Sequence, residues 1–200
     1  MTNLTFNEQT HTYYNDGQAV ISVTQVLKLL SNEIYKGISR RNMNNAAERG
    51  SDIHYATDLY DEFGIEEVKN CHLGYFNGYK KFKSEWNHKA IINEEKLYSG
   101  LGYAGTPDSY CTINNQFYVM DKKTTAQFHK HLLGLQLGAY RNLLRENGHK
   151  CNLGCGLQLK PNGKYKLIFF NEKELDVYFN HFKDYLRVAK INKYYLGGNH

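Results

Sequence analysis

The 200-residue sequence has no long hydrophobic run: none approaches the roughly 18 consecutive apolar residues of a membrane-spanning helix. Its opening stretch, MTNLTFNEQTHTYYNDG, is polar throughout, so we expect no secretory leader. It has only four cysteines, and the one close pair, Cys151 and Cys155, matches no zinc-binding spacing. These absences argue against a helical membrane protein and a disulfide-stapled secreted domain, and they predict a cytoplasmic protein with reduced thiols.

Long runs of like charge and internal repeats are also missing. The 25 Lys and Arg against 20 Asp and Glu give a net charge of +5, a mild excess that permits a polyanionic partner without requiring one. Hydrophobic residues make up 41% and charged residues 22%, which is typical of a globular chain. The 17 Tyr and 10 Phe supply many rings that can stack on a ligand. We therefore expect one globular domain over residues 1–200.

Periodicity and turn signals predict an α/β or α+β fold with a central mixed sheet flanked by helices. Asp16-Gly17 predicts a hairpin, Ser22 or Thr24 begins a capped helix, and Pro161-Asn162-Gly163 turns a second hairpin. Within the single domain, 1–90 holds the first hairpin and helices, 91–170 the sheet and a long helix, and 171–200 a terminal helix. The internal helices are expected at 40–62, 73–87 and 126–147, and the central strands at 90–99, 101–113 and 116–121.

Two aspartates stand near the ends of adjacent predicted strands. Asp108 follows Pro107 in a turn, and Asp121 closes the run QFYVMD. If these strands form an antiparallel hairpin, both acids lie at the end away from its turn, and Lys123 shares a sheet face with Asp121. Two close carboxylates repel unless a divalent cation lies between them, and with an ammonium they suit phosphodiester cleavage. The alternative is that Asp108 only caps a turn and Asp121 only caps the next helix.

Two helices carry further candidates. Gln136 and Tyr140 lie one turn apart beside an apolar face, so they are either packed core residues or groups that reach the lysine and a DNA phosphate. His54, in the segment ERGSDIHYATDLY, is either an ordinary surface or core histidine or a nitrogen ligand to the same cation.

Five segments follow one another along the chain: SVTQVL (22–27), RGSDIH (49–54), EEKLYSGLGYAGTPD (94–108), DKKTT (121–125) and QLGAY (136–140). A lone D-x-K is common in unrelated proteins, whereas the order and spacing of the whole set is specific. In this order the segments resemble the PD-(D/E)XK nuclease superfamily, and within it the RecB-like exonuclease branch, which includes phage exonucleases and the mitochondrial genome maintenance exonuclease.

The resemblance implies a restriction-endonuclease-like core with a Mg²⁺ or Mn²⁺ site. It implies that Asp108 and Asp121 bind the metal, with His54 and the backbone carbonyl of Lys122 as further ligands, and that Lys123 is the motif lysine. Some members also hold an iron–sulfur cluster through a cysteine that precedes the histidine segment. No cysteine precedes that segment here, so no iron–sulfur cluster is expected.

The resemblance further implies that Gln136 and Tyr140 support the lysine and position DNA. Glu94 matches an accessory acid of this branch, although its neighbour Glu95 points to the opposite strand face and leaves the choice open. The candidate DNA contacts are Arg40, Arg41, Arg49, Ser51, Thr124, Thr125 and Tyr140.

The sequence thus predicts a metal-dependent deoxyribonuclease, an exonuclease acting on linear DNA or single-stranded ends. The expected context is phage or mobile-element replication or recombination in a bacterial host cell, with phage recombination or replication proteins as partners and no membrane. A structure-specific endonuclease on the same scaffold and a non-catalytic nucleic-acid-binding module remain open. A small-molecule enzyme or structural protein with accidental motifs is the remaining alternative.

Overall fold

A computed structural model describes residues 3–196 of the chain. Ten strands and six α-helices alternate along this part, with a 3₁₀ turn at Asn70–His72. The elements are β1 (Leu4–Asn7), β2 (Thr12–Asn15), β3 (Gln18–Ser22), α1 (Val23–Val26), α2 (Lys28–Ile34), α3 (Arg40–Phe63), α4 (Leu73–Glu85), β4 (Lys89–Asn93), β5 (Leu97–Ser99), β6 (Tyr103–Gly105), β7 (Ser109–Ile113), β8 (Gln116–Lys123), α5 (Lys130–Glu146), β9 (Leu153–Leu159), β10 (Tyr165–Phe170) and α6 (Glu172–Leu196).

The larger sheet has the order β10-β9-β8-β7-β4 and is mixed, because β8 and β9 are parallel while the other neighbours are antiparallel. One face packs on α5 and α6 through a core that includes Val119 and Leu137. The other face packs on α3 and α4 through a second core that includes Met120 and Tyr79. The predicted mixed sheet flanked by helices is confirmed.

A second mixed sheet has the order β1-β2-β3-β6-β5, in which β3 of the amino-terminal hairpin pairs with β6. The hairpin turns at Asp16-Gly17, both with positive φ (48° and 79°), as the sequence predicts. Ser22 then caps α1 in a reciprocal box: its side chain accepts from the Gln25 amide, and the Gln25 side chain accepts from the Ser22 amide. These local signals therefore define how the chain enters the fold.

Two of the predicted strands are each divided between the sheets. The chain leaves the larger sheet at Glu94, whose φ of +50° turns the backbone, so residues 90–99 form β4 and β5 in different sheets. The segment Thr106-Pro107-Asp108 likewise separates β6 from β7 within 101–113. Strand β1 is an additional element that the sequence analysis did not predict.

The predicted helices over 40–62 and 73–87 are confirmed within a few residues, while two others differ. The first helix ends at Val26 and a second begins at Lys28. The helix expected from residue 126 begins at Lys130, because Gln158 Nε2 holds the preceding loop by donating to the carbonyls of Thr125 (2.7 Å) and Ala126 (3.1 Å). The terminal helix is confirmed from Glu172, and residues 197–200 of its predicted range lie outside the described residues.

None of the helices within residues 3–196 is long and apolar enough to cross a membrane.

One core histidine makes the stability of the fold depend on pH. His88 is 4% exposed, packs 5.0 Å from the Phe82 ring, and has no hydrogen-bond partner on either ring nitrogen. Burial lowers the pKa of His88 to about 4. The unfolded chain, with an ordinary histidine pKa near ~6.5, binds more protons between these two values. Stability is therefore fully present above pH 6.5 and falls as the pH drops towards 4.

We expect this one residue to remove about 2.5 kcal/mol of stability between pH 7 and pH 4.5. His88→Phe keeps a ring in the core and cannot take up a proton, so its free energy of unfolding should change less over this range than that of the parent. Urea titrations at both pH values measure the difference, with the exposed His181→Gln as the matched control. Equal pH dependence in His88→Phe and the parent would contradict the expectation.

Candidate active site

The site is built on β8, the central strand of the larger sheet. Its side chains alternate, so that Met120 and Lys122 enter the core beneath α3 and α4, while Asp121 and Lys123 share the opposite face. The parallel partner β9 places Gly156 opposite Asp121. The predicted common face of Asp121 and Lys123 is therefore present.

Asp121 and Lys123 form a close ion pair at the end of β8. The ammonium Nζ lies 2.8 Å from both carboxylate oxygens, and it has hydrogen-bond geometry only to Oδ1. Asp121 Oδ2 is thus a buried oxygen that accepts no hydrogen bond. Such an orphaned oxygen is available to a further cationic partner.

Asp108 lies beside this pair, just before β7. Because Ser109 pairs with Met120 in the hairpin register, Asp108 reaches the end of β8, and its Oδ2 accepts a 2.8 Å hydrogen bond from the Lys122 amide. His54 arrives from α3, with Nε2 at 3.0 Å from the Lys122 carbonyl oxygen and 3.5 Å from Asp108 Oδ2. Three elements therefore bring an imidazole, a carboxylate and a carbonyl to one point.

These distances fit a hard divalent cation. Neighbouring ligands around an octahedral Mg²⁺ or Mn²⁺ with bonds of ~2.1 Å lie about 3 Å apart, close to the separations measured around His54 Nε2. Within residues 3–196, no three acid, histidine or cysteine side chains form a ready-made metal-binding group. Asp121 is paired with Lys123, whose Nζ lies 2.8 Å from both carboxylate oxygens, and its Oδ2 accepts no hydrogen bond. His54, Asp108, Asp121 and the Lys122 carbonyl are the residues that would hold the cation.

Burial and neighbouring charges shift the pKa values of the two aspartates in opposite directions. Burial would raise the pKa of Asp108, but the charges of His54, Lys123 and Lys122 outweigh it and lower the pKa below its usual value. Burial raises the pKa of Asp121 to about 6, and the Asp108 charge adds to this rise while Lys123 opposes it. For Lys123, burial favours the neutral amine, yet Asp121 and Asp108 raise its pKa above the usual value. Lys123 is therefore a charged ammonium at neutral pH.

The structure distinguishes the two neighbouring glutamates that the sequence left open. Glu94 Oε1 lies 3.9 Å from His54 Nδ1, on the far side of the ring from Lys122 and Asp108. Glu95 points away and pairs with His149 at 3.3 Å. A carboxylate at Nδ1 is the usual outer partner of a metal-binding histidine, because it accepts the remaining ring proton and orients the ring. Glu94 is thus placed to orient His54.

Gln136 and Tyr140 lie on α5, on the side of Lys123 away from the cleft. Gln136 lines a cavity of about 30 Å³ next to Lys123, and its Nε2 donates a long 3.4 Å bond to Tyr140 Oη. Tyr140 is 4% exposed, and burial followed by the Asp108 charge raises its pKa. Gln136 and Lys123 line the same cavity, whereas Tyr140 is buried and does not line the cleft, so their support of the lysine and of DNA stays a prediction.

An open cleft of about 970 Å³ lies between α3 and the end of β8. Its walls include His54, Ser51, Glu94, Lys123 and Thr125. The predicted DNA contacts Ser51 and Thr125 therefore face the cleft.

Thr124 and Arg49, also predicted DNA contacts, bind each other instead. Thr124 lines the cleft but is 7% exposed. Arg49 donates from Nε to Thr124 Oγ1 (3.3 Å) and from Nη2 to the Thr124 carbonyl (3.4 Å), and it stacks 5.6 Å from the Tyr75 ring. Its observed contacts tie α3 to β8. Arg40 and Arg41 are exposed in the first turn of α3.

Three residues of the site were missed by the sequence analysis. Thr57 and Asp58 follow His54 on α3 and bind the Lys122 ammonium, and Gln158 on β9 holds the loop after Lys123. A signal was present for two of them: Asp58 lies one helical turn after His54, and Gln158 is a polar residue inside the apolar strand CGLQL, where a buried amide needs partners.

No family model matches the chain, and no curated protein matches it. Among solved structures, the crystal structure of SSO0001 is 14% identical with a TM-score of 0.38, and the match covers 84% of this chain and 75% of that one. The crystal structure of LHK-Exo in complex with dAMP is 12% identical with a TM-score of 0.40, and the match covers 88% of this chain and 91% of that one.

We expect Glu94→Gln to weaken Mn²⁺ binding by about tenfold, because the amide is a poorer acceptor for the His54 Nδ1 proton when Nε2 binds a cation. Calorimetric titration of the purified protein with Mn²⁺ measures the change. Glu95→Gln is the matched control, since it removes the neighbouring charge, which pairs with His149 instead of His54, and should leave the affinity unchanged. Equal affinities in both variants would show that Glu94 does not orient His54.

Proposed function

We propose that this protein is a Mg²⁺- or Mn²⁺-dependent deoxyribonuclease that hydrolyses phosphodiester bonds at DNA ends. One observation supports it above all: His54 Nε2 lies 3.0 Å from the Lys122 carbonyl oxygen and 3.5 Å from Asp108 Oδ2, beside the Asp121–Lys123 pair, and His54 and Lys123 line an open cleft. Carbonyl and carboxylate oxygens with one imidazole suit these cations.

A divalent cation in this position supplies Lewis-acid polarisation of a phosphate and a water of lowered pKa. The chain's own groups do the rest. Asp108 and Asp121 provide the negative charge that favours cation binding, and the Glu94 carboxylate, 3.9 Å from His54 Nδ1, would orient the imidazole ring. The Lys123 ammonium, beside Asp121, would donate hydrogen bonds to a water or a phosphate oxygen.

The charge along α3 favours action at ends over internal cleavage. Residues 40–51 contain Arg40, Arg41 and Arg49 against one acid, Glu48, whereas residues 52–63 contain four acids and no Lys or Arg. Three of these acids are paired with lysines of other elements, and the fourth, Glu62, lines the cleft. Phosphates are attracted to the amino-terminal half of α3, whereas the other half supplies no Lys or Arg of its own and the lysines beside it are paired with its acids. A strand would therefore approach His54 from one side and end there.

The first test of this proposal uses Asp121→Asn, which keeps the shape of the side chain and removes its charge. We expect the parent with Mn²⁺ to degrade linear DNA and leave closed circles intact, and the variant to lose at least about a thousandfold in rate while still binding DNA. End-labelled linear DNA and circles of the same sequence are compared.

Each other result of that comparison has a definite meaning. Cut circles would indicate the endonuclease alternative. A parent that binds DNA as the variant does, and cleaves neither substrate, would indicate a non-catalytic binding module. Unchanged cleavage by Asp121→Asn would exclude this site as the catalytic centre.

The second test addresses the strand path. Arg40→Ala combined with Arg41→Ala should raise the KM for linear DNA and reduce the slope of log affinity against log salt by about 1–2, because two phosphate contacts are lost. Lys164→Ala combined with Lys166→Ala is the control, since it removes the same charge from exposed positions on and beside β10. Equal effects of both pairs would mean that only overall charge matters.

A further inference from the structure

The residue between the two motif positions Asp121 and Lys123 is itself a lysine, and its side chain is fully buried (0% exposed). Lys122 points into the core beneath α3, where its ammonium lies 5.9 Å from the centre of the Tyr79 ring. Its neighbours on this strand face and on β9 are the apolar residues Met120 and Leu157. An apolar side chain would fill this position at lower cost in desolvation, so burial alone does not account for a lysine here.

Lys122 is bound at three points. Its amide donates to Asp108 Oδ2 at 2.8 Å, its carbonyl lies 3.0 Å from His54 Nε2, and its ammonium donates to Thr57 Oγ1 at 2.9 Å and to Asp58. Thr57 Oγ1 in turn donates to the backbone carbonyl of His54 at 2.9 Å. The ammonium is therefore linked through one hydroxyl to the backbone of the residue whose ring meets the Lys122 carbonyl.

The three α3 residues lie on one helix face, because positions 54, 57 and 58 are spaced i, i+3, i+4. His54 and Lys122 lie 68 residues apart in sequence, on α3 and β8. Their separation depends on how α3 is set, along its axis and in rotation, against β8. The bonds of the ammonium to Thr57 and Asp58 fix that setting one turn beyond His54.

We propose that the Lys122 ammonium is a positioning group: by binding Thr57 and Asp58 it holds α3 against β8 so that His54 Nε2 and the Lys122 carbonyl stay side by side as cation ligands. The inference rests on the proposed metal-dependent function and adds to it the groups that assemble the site. In this arrangement only the backbone carbonyl of Lys122 is a cation ligand, whereas its ammonium, with Thr57 and Asp58, acts through His54.

The test separates positioning from folding. Lys122→Met removes the ammonium and leaves Asp58 without its partner, so both the melting temperature and Mn²⁺ affinity should fall. Adding Asp58→Asn removes the uncompensated buried charge, so the double variant should recover most of the melting temperature. Its Mn²⁺ affinity should remain at least about tenfold below that of the parent, since the tie between α3 and β8 is still missing.

The chain offers a matched control on the same helix. Asp61, three residues after Asp58, is fully buried and pairs with Lys83 of α4 at 2.5 Å. Lys83→Met with Asp61→Asn removes a buried ion pair of the same kind that ties α3 to α4 and not to β8. It should leave Mn²⁺ affinity at the parental value.

A second readout needs no metal. A carbonyl only accepts, so the Lys122 carbonyl selects the His54 tautomer with the proton on Nε2, and the imidazole ¹⁵N spectrum of the metal-free protein reports it. The Lys122→Met/Asp58→Asn variant should lose the preference for the Nε2-protonated tautomer, and the Lys83→Met/Asp61→Asn control should keep it.

The outcomes separate the two proposals. Parental Mn²⁺ affinity and an unchanged His54 tautomer in the Lys122→Met/Asp58→Asn variant would overturn the positioning role while leaving the proposed function intact. An equal loss of affinity in the Lys83→Met/Asp61→Asn control would overturn it as well. A parent that binds no Mn²⁺ would instead refute the proposed function, and the tautomer would then decide whether Lys122 positions His54.

Discussion

The alternation of side chains along β8 is the constraint on which the site depends. A strand at the centre of a sheet has two covered faces, and the last residues of β8 place charged side chains on both of them. Asp121 and Lys123 enter one side as a pair, whereas Lys122 enters the other and finds Thr57 and Asp58. The backbone carbonyl of Lys122, which lies between them, faces His54, whose Nε2 is 3.0 Å away.

Burying this many charges has a thermodynamic consequence. Asp108, Asp121 and Lys123 lie close together, and desolvation by burial is the largest influence on the pKa of each. Asp58 shows the same effect, because burial raises its pKa to about 6 in spite of the neighbouring Lys122. Ion pairs of this kind contribute little net stability compared with apolar packing. The two hydrophobic cores on either side of the sheet therefore supply the stability of the fold. The charged end of β8 fixes the geometry of the site and lowers that stability through the cost of desolvating its charges.

Local signals in the sequence predicted much of the fold because they act over a few residues. The Asp16-Gly17 turn, the Ser22 capping box and the long α3 all depend on neighbouring positions, and all are present. The division of residues 90–99 between two sheets depends on the left-handed backbone at Glu94, which no periodicity reveals.

The site was predicted to a similar degree and for similar reasons. The shared face of Asp121 and Lys123 follows from a two-residue alternation, and their nearness to Asp108 follows from a hairpin register. The bonds from α3 to Lys122 join residues more than 60 positions apart, and they depend on how a helix is rotated against a sheet, which the sequence pattern does not encode.

Gly156 shows how packing at one backbone position sets the chemistry at its neighbour. It pairs with Asp121 across the parallel ladder, and a Cβ there would lie 2.3 Å from Leu133 Cδ2 and 2.7 Å from the Phe128 ring. The absence of a side chain thus lets Leu133 and Phe128 press against the sheet beside Asp121. This apolar cover excludes water from the carboxylate, which is the main cause of its raised pKa, and it makes the charge of Lys123 act at close range in a medium of low dielectric constant. The electrostatics of the candidate site therefore originate in the hydrophobic packing of α5 on β9.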